Sequence, residues 1–111
     1  MNNKSRKQKG RRLQNHVRDR LLKAFPHLKA EDIKVAIMSE PGPDIKLSRI
    51  AKKLIPYQWE CKNQEKLNLW KAWEQTQSNA DEYQPLLIVG KNNTRPLAAS
   101  SLKNHLKGLE I

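Results

Sequence analysis

The sequence has few acidic residues, few aromatic residues and a single cysteine, Cys61. Its 111 residues include three Trp, two Tyr and one Phe. One cysteine excludes an internal disulfide, and with three scattered histidines it offers no zinc-ligand spacing. No apolar run reaches the roughly 18 residues of a membrane-spanning helix, and no apolar signal-peptide core follows the basic start. We therefore expect a chain of the reducing cytoplasm with no membrane partner.

Basic residues, in contrast, are abundant. Twenty-two Lys and Arg against 11 Asp and Glu give a formal net charge of +11. This imbalance is atypical of an enzyme that acts on small metabolites, so we expect no small-molecule cofactor and a polyanion as partner. Nucleic acid and an anionic membrane surface both qualify, and the lack of a spanning run favours nucleic acid. The length predicts one domain.

The excess charge is concentrated at the start of the chain. Residues 1–12 contain no hydrophobic residue after Met1, so we expect a flexible basic arm, followed by a single domain over residues 13–111. A solubilising tail is one interpretation of the arm. Clustered cations beside a structured domain favour the other, a set of phosphate contacts. The cations are Lys4, Arg6, Lys7, Lys9, Arg11 and Arg12.

The rest of the chain alternates between helical and strand patterns. Apolar residues at three-to-four spacing predict helices over residues 13–25, 65–80 and 102–109. Alternating or continuous apolar runs predict strands over residues 32–38, 44–48, 57–62, 85–90 and 95–99. This order predicts an α/β domain, a mixed sheet of four to five strands flanked by helices.

Charged residues on two consecutive predicted strands form the candidate site. Asp44 follows a Pro-Gly-Pro turn, whereas Glu60 and Lys62 lie two apart on the next strand and so point to one face. Cys61 points to the opposite face, where its thiol packs as a small hydrophobe. Each half alone is commonly a turn or a solvated ion pair. Together, in a strongly basic chain, they favour a catalytic site.

These residue types suit phosphodiester hydrolysis. A divalent metal neutralises the negative oxygens that repel a nucleophile, and Mg²⁺ prefers oxygen ligands. We predict that Asp44, Glu60 and the backbone carbonyl of Cys61 bind Mg²⁺, for which Mn²⁺ substitutes. Lys62 is predicted to orient the attacking water and to offset charge in the transition state.

This spacing resembles the PD-(D/E)xK nuclease superfamily, with Pro43-Asp44 as its first half and Glu60-Cys61-Lys62 as its second. The predicted αβββαβ order from Leu13 to Gly90 is similar to the restriction-endonuclease-like core of that superfamily. The small size and the Glu-Cys-Lys-Asn stretch resemble phage-type members, such as Holliday junction resolvases and free-standing phage endonucleases. The resemblance implies a metal-dependent DNA endonuclease of a phage or bacterial host cell. Its DNA substrate stays open, because an enzyme selective for junction or branched DNA, a sequence-specific enzyme and a nicking repair enzyme would share this core.

The chain departs from that pattern on its first helix. Many members carry a glutamate there as a further metal ligand, and the corresponding position holds Gln14. A neutral amide binds Mg²⁺ more weakly, so the number of metals stays open, and Glu40 is an alternative ligand. Gln64 resembles an added polar residue of some members, although a polar residue at a helix N-terminus is an equal interpretation.

Further expectations concern partners. Phosphate contacts are also predicted at Lys46, Arg49, Lys52 and Lys53. Cutting two strands with one carboxylate pair per chain needs two copies, so we expect a homodimer. Trp70 and Trp73 fit a core or a dimer face. Gln14 favours an alternative function, a non-catalytic basic DNA-binding protein on a nuclease-like fold. An RNA-binding accessory protein is weaker, because no aromatic-rich sheet motif is present.

Overall fold

A long amphipathic helix, α1 (Asn3–Ala24), begins the chain. The computed structural model describes residues 3–37, 40–80 and 83–109, with side chains from residue 7. Leu13, Val17 and Leu21 of α1 are buried, because their three-to-four spacing places them on one face of the helix. The predicted helix is therefore confirmed from Leu13 onward.

The start of α1 differs from the prediction. We expected a flexible arm over residues 1–12, but residues 3–12 form the first turns of α1, so the helix begins at Asn3 rather than at Leu13. This stretch has no proline and no β-branched residue, and Lys, Arg and Gln propagate a helix readily once a packed segment has nucleated it. Met1 and Asn2 lie outside the described residues.

Two short strands follow α1 and a 3₁₀ turn (Ala30–Asp32). Strands β1 (Ile33–Val35) and β2 (Ile45–Leu47) pair antiparallel, with Ile33 opposite Leu47. Ile33 and Ile45 are fully buried between α1 and the rest of the core. We expected β1 to extend to Met38 with both faces covered. It ends instead at Val35, and Ile37 is exposed, because the chain turns where Glu40 N donates a hydrogen bond to Ile37 O. Met38 lies outside the described residues.

A one-and-a-half-turn helix, α2 (Arg49–Leu54), connects β2 to the next strand. It begins where the Ser48 hydroxyl accepts a hydrogen bond from Ala51 N at 3.1 Å, which satisfies one of the free N–H groups of a helix start. The same hydroxyl donates to Asp32 Oδ1 at 2.8 Å. Ala51 is fully buried in the core, so this short basic segment is a packed helix.

The second sheet contains strands β3 (Tyr57–Asn63), β4 (Gln84–Gly90) and β5 (Leu97–Ala99). Strand β3 pairs parallel with β4, and β4 pairs antiparallel with β5. Helix α3 (Leu69–Asn79) makes the crossover that a parallel pair requires. Helix α4 (Leu102–Leu109) follows β5. None of the helices in the described ranges is long and apolar enough to cross a membrane.

The five strands do not form the single sheet that we predicted. Within the described residues they form a two-stranded and a three-stranded sheet. The two sheets are joined where Asp44 N donates a hydrogen bond to Trp59 O at 3.1 Å. Strand β2 cannot extend this pairing, because the chain enters α2 directly after Leu47 and Ser48. The domain is therefore a mixed α/β fold whose two small sheets meet at Asp44.

Helix α3 also differs from its prediction. We expected it over residues 65–80, but it begins at Leu69, where the Asn68 side chain accepts a hydrogen bond from Lys71 N. The buried residues of α3 are Ala72 and Thr76. Trp70 and Trp73 were expected in a core or on a dimer face. Trp73 is half-buried, whereas Trp70 is 75% exposed and therefore lies outside the core.

Candidate functional site

Asp44 lies where the two sheets meet, directly before β2. Its backbone N–H bonds to Trp59 O, and its side-chain Oδ2 accepts a hydrogen bond from Cys61 N at 2.8 Å. Both bonds go to the edge of β3 that faces β2. The preceding turn is fixed by Gly42, whose φ of 106° is a conformation that a side chain disfavours. Asp44 is thus held against the middle of β3 by two bonds.

Glu60 of β3 is the second carboxyl group of the site. Its residue is only 8% exposed, and within the described part of the chain its Oε1 atom has no hydrogen-bond partner. Burial first, and then the nearby charge of Asp44, raise the pKa of Glu60 to about 7. The fold therefore keeps two acidic groups together with one carboxyl oxygen unsatisfied.

Cys61 contributes its backbone to the site and its side chain to the core. The thiol is buried beside Ile45 and Ile88, and burial raises its pKa well above the ordinary range. The N–H and C=O groups of one residue in a strand point the same way. Since Cys61 N reaches Asp44, the Cys61 carbonyl faces the same edge of β3. This edge carries no strand partner beyond the bond at Asp44 among the residues described.

Lys62 lies on the same face of β3 as Glu60, two residues along the strand. Its positive charge lowers the pKa of Glu60 and partly opposes the effect of burial. In the described part of the chain, the ion pairs are Arg18 with Asp19 and Lys46 with Glu40, so the Lys62 ammonium forms none. The structure therefore brings Asp44, Glu60 and Lys62 together as the sequence predicted.

Three surface clefts surround this group. The first, called here the Asp44 cleft, has a volume of about 250 Å³ and is lined by Lys7, Gly10, Arg11, Gln14, Glu40 and Asp44 among others. The second, the Lys62 cleft, has about 460 Å³ and is lined by Lys9, Gly10, Lys62, Asn63, Gln64 and Lys66 among others. The third lies along α3, has about 400 Å³ and also includes Lys62 and Gln64.

The two predicted accessory residues, Gln14 and Glu40, both line the Asp44 cleft, but the carboxylate of Glu40 is already engaged by other groups of the protein. Gln14 lines the cleft from α1. Glu40 lines it too, yet its Oε1 is engaged by Lys46 Nζ and its Oε2 accepts from Ile37 N at 2.8 Å. Lys46 lowers the pKa of Glu40 through this ion pair. Glu40 is thus committed to holding the loop before β2.

Gln64 follows β3 and borders two of the clefts. Its backbone N–H donates to Gly90 O at 3.0 Å, which continues the pairing of β3 with β4. Helix α3 begins at Leu69, so the interpretation of Gln64 as a polar residue at a helix N-terminus is wrong. Its exposed side chain remains beside Lys62.

The predicted DNA-contact cations fall into four groups. Lys7, Lys9 and Arg11 line the clefts at the carboxyl pair. Arg12 is exposed on α1, and Arg49, Lys52 and Lys53 are exposed on α2; these four line none of the three clefts. Lys46 is paired with Glu40. The side chains of Lys4 and Arg6 lie outside the described residues.

Sequence reasoning missed Gly10 and Asn63. Asn63 Nδ2 donates to the Lys9 carbonyl of α1 at 3.0 Å and so ties the helix to the end of β3. Gly10 is the residue that the Asp44 cleft and the Lys62 cleft have in common. The only sequence signal for the role of Asn63 is that it is a polar residue at the end of a strand, which is weak evidence. The partner of Asn63 is more than fifty residues away in sequence, and such a contact leaves no local pattern.

The donor set at the site consists of oxygen atoms from two carboxyl groups and one carbonyl. Asp44, Glu60 and the Cys61 carbonyl suit a hard divalent cation such as Mg²⁺. Glu60 Oε1, which has no hydrogen-bond partner among the described residues, can serve as one of the metal ligands. No group of three or more His, Cys, Asp or Glu residues suited to a metal occurs among the described residues.

Comparison of the chain with protein-family models, with curated proteins and with solved structures finds no match.

Proposed function

We propose that this chain is a metal-dependent DNA endonuclease with a PD-(D/E)xK site on a restriction-endonuclease-like core. The observation that carries the proposal is the pairing of buried Glu60 with Asp44, whose Oδ2 is fixed by Cys61 N at 2.8 Å. The order of α1, three strands, α3 and β4 supports the same core, although the strands form two sheets.

Two adjacent carboxyl groups destabilise the folded protein unless a bound cation offsets their charge. Burial and the Asp44 charge both disfavour the ionised form of Glu60, and an unpaired polar atom inside a protein costs about 1 to 3 kcal/mol. A side-chain hydrogen bond with Asn79 and the Lys62 ammonium relieve only part of this effect. Such a perturbed pair, in which buried Glu60 lies against an Asp44 that lines an open cleft, is typical of a functional site rather than of a stabilising contact.

Asp44, Glu60 and the Cys61 carbonyl are the residues that would hold Mg²⁺ or Mn²⁺. When bound, such an ion neutralises the phosphate oxygens and generates a nucleophile at neutral pH. Asp44 and Glu60 must be ionised for this purpose. Their fixed positions, with Asp44 bonded to β3 and Glu60 on β3, remove the need to reorganise the two carboxylates during the reaction.

Lys62 supplies the positive charge that the chain itself contributes to the chemistry. From the same strand face as Glu60, its ammonium group is suited to orient the attacking water and to offset negative charge on the phosphoryl group. The water oxygen forms a bond to phosphorus, the bond from phosphorus to the leaving sugar oxygen breaks, and that oxygen takes up a proton. A net charge of +11 supports DNA as the polyanion that is cut.

Substitutions at the site test this proposal. Asp44→Asn retains an oxygen that accepts from Cys61 N, so the variant should fold while losing a carboxylate. Asp44→Asn and Lys62→Ala should each reduce Mg²⁺-dependent DNA cleavage by about 100-fold or more. Asp44→Asn should leave DNA binding intact, whereas Lys62→Ala should weaken it only by the loss of one phosphate contact. The matched controls are Asp19→Ala on α1 and Lys103→Ala on α4, both exposed and away from the clefts. DNA cleavage that persists in both site variants would contradict the proposed nuclease function.

A non-catalytic DNA-binding protein on the same fold is the second candidate. Its support comes from the Asp44 cleft, where Gln14 is neutral and both oxygens of Glu40 are engaged by Lys46 and Ile37. Incubation of wild-type protein with supercoiled, single-stranded and four-way-junction DNA, with and without Mg²⁺, separates the two candidates. Binding without nicking on every DNA shape would favour this second candidate.

A further inference from the structure

Gly10 is an unusual residue for its position in α1. Glycine in the interior of a helix is less stable than alanine, because it loses more backbone freedom on folding. Gly10 precedes the buried Leu13 and Val17 by three and seven residues, so it lies on the face of α1 that is turned toward the domain. A Cβ atom at Gly10 would nevertheless meet no atom of the surrounding protein within 4 Å. Packing within the protein therefore gives no reason for a glycine here.

The space beside Gly10 is the junction of two clefts. Gly10 lines both the Asp44 cleft and the Lys62 cleft. A side chain at position 10 would therefore extend into the passage between Asp44 and Lys62. The helix is fixed at this point, because Asn63 Nδ2 bonds to the carbonyl of the preceding residue, Lys9, at 3.0 Å.

The passage is electrostatically suited to an anion. Its cations form no ion pair among the described residues; they are Lys7, Arg11, Lys9, Lys62 and Lys66. The other acids of the two clefts are already engaged within the protein. Glu40 is paired with Lys46, and Glu65 Oε1 accepts from Asn92 N at 2.8 Å. Unpaired cations on both sides of an open gap are what a chain of phosphates requires.

We propose that the DNA strand to be cut crosses α1 at Gly10, with successive phosphates in the Asp44 cleft and in the Lys62 cleft. The missing side chain lets the sugar-phosphate backbone lie directly against the helix and brings the strand past both Asp44 and Lys62. Gly10 thus contacts the substrate, and Asn63 is a positioning residue that holds α1 at the crossing. This inference rests on the proposed function, because it takes DNA as the ligand.

A pair of glycines in two helices gives a matched test. Gly108 of α4 is also helical, and a Cβ there also meets nothing within 4 Å. Gly10→Ala, Gly10→Leu, Gly108→Ala and Gly108→Leu should all raise the melting temperature, because Ala and Leu favour a helix. Binding of a fluorescein-labelled four-way junction, and of a duplex matching one of its arms, is then measured by anisotropy in EDTA, which prevents cleavage.

Only the position-10 variants should bind less tightly. We expect a loss of about fivefold for Gly10→Ala and more than about tenfold for Gly10→Leu, with a shallower salt dependence because fewer phosphates are contacted. The Gly108 variants should bind as the wild type does. Gly10→Ala carries the test if Gly10→Leu fails to fold. Weaker binding accompanied by a lower melting temperature would overturn the inference, because the fold rather than the passage would then explain the loss.

The outcomes separate this inference from the proposed function. Gly10 variants that are more stable and bind as tightly as the wild type would overturn the crossing, even if the wild-type protein cleaves DNA. A wild-type protein that binds but does not cleave with Mg²⁺ would contradict the nuclease, whereas the affinities of the Gly10 and Gly108 variants would still decide the crossing. A wild-type protein without affinity for either DNA would overturn both.

Discussion

At Glu60, the folded protein holds a proton more tightly than the unfolded chain does. Burial and Asp44 raise the pKa of this carboxyl group from 4.5 to about 7. The contribution of Glu60 to stability is therefore full below pH 4.5 and is lost as the pH rises through 7. At neutral pH and above, the ionised pair destabilises the metal-free protein.

Glu60→Gln should consequently stabilise the metal-free protein at pH 8. We expect a gain of roughly 1 to 3 kcal/mol in the free energy of unfolding, which shrinks toward zero near pH 4, where Glu60 is protonated in both states. Urea denaturation in EDTA at several pH values measures this difference. Glu31→Gln, at an exposed position, is the control and should change little. A Glu60→Gln protein less stable than the wild type at pH 8 would contradict the description of this residue.

At the level of elements, the site depends on how α1 is attached to β3. The hydrogen bond from Asn63 Nδ2 to Lys9 O is a side-chain contact between the first turns of α1 and the end of β3. Leu13, one turn further on, would lie 3.5 Å from a Cβ at Gly90 of β4. The polar bond and the apolar contact together keep α1 beside both clefts.

Asn63→Ala should therefore loosen the start of α1 without unfolding the domain. Amide hydrogen exchange should become about fivefold faster or more in residues 7–12, since loss of one hydrogen bond corresponds to roughly 1 kcal/mol. Exchange around Val17, which is packed in the core, should stay unchanged. Asn104→Ala on α4 is a control of the same type at a distant helix. Equal exchange in the Asn63→Ala and wild-type proteins would contradict the anchoring role.

Local patterns predicted the elements on which the candidate site lies. Alternation correctly separated Glu60 and Lys62 from Cys61, because side-chain direction in a strand depends only on position. The glycine of the Pro-Gly-Pro turn was likewise recognisable, because the turn needs the positive φ of Gly42. These features are fixed by neighbours in the sequence.

Features set by distant contacts were not predictable. The junction of the two sheets depends on the hydrogen bonds between Asp44 and β3, and the exposure of Trp70 depends on which face of α3 packs against the rest of the domain. The roles of Gly10 and Asn63 appear only when α1 lies beside β3. Hydrophobic spacing defines a face of each element but not the partner that it meets.

For the whole molecule, the net charge of +11 should govern its affinity for the DNA that we propose as its substrate. Five cations line the passage beside the carboxyl pair: Lys7, Lys9, Arg11, Lys62 and Lys66. If each contacts one phosphate at about −0.9 per contact, a plot of log affinity against log salt should have a slope of about −4.5 or steeper. Anisotropy titrations at several salt concentrations measure this slope. A slope of about −1 would mean that these cations do not bind phosphates.

Mg²⁺-dependent cleavage of supercoiled DNA by the wild-type and Glu60→Gln proteins is the most direct test of the account. The wild-type protein should convert supercoiled DNA to nicked or linear forms as Mg²⁺ is added and should stop when EDTA is added. Glu60→Gln should bind the same DNA and cleave it about 100-fold more slowly or worse. A wild-type protein that leaves the DNA intact at every Mg²⁺ concentration, or a Glu60→Gln protein that cleaves at the wild-type rate, would contradict the central claim.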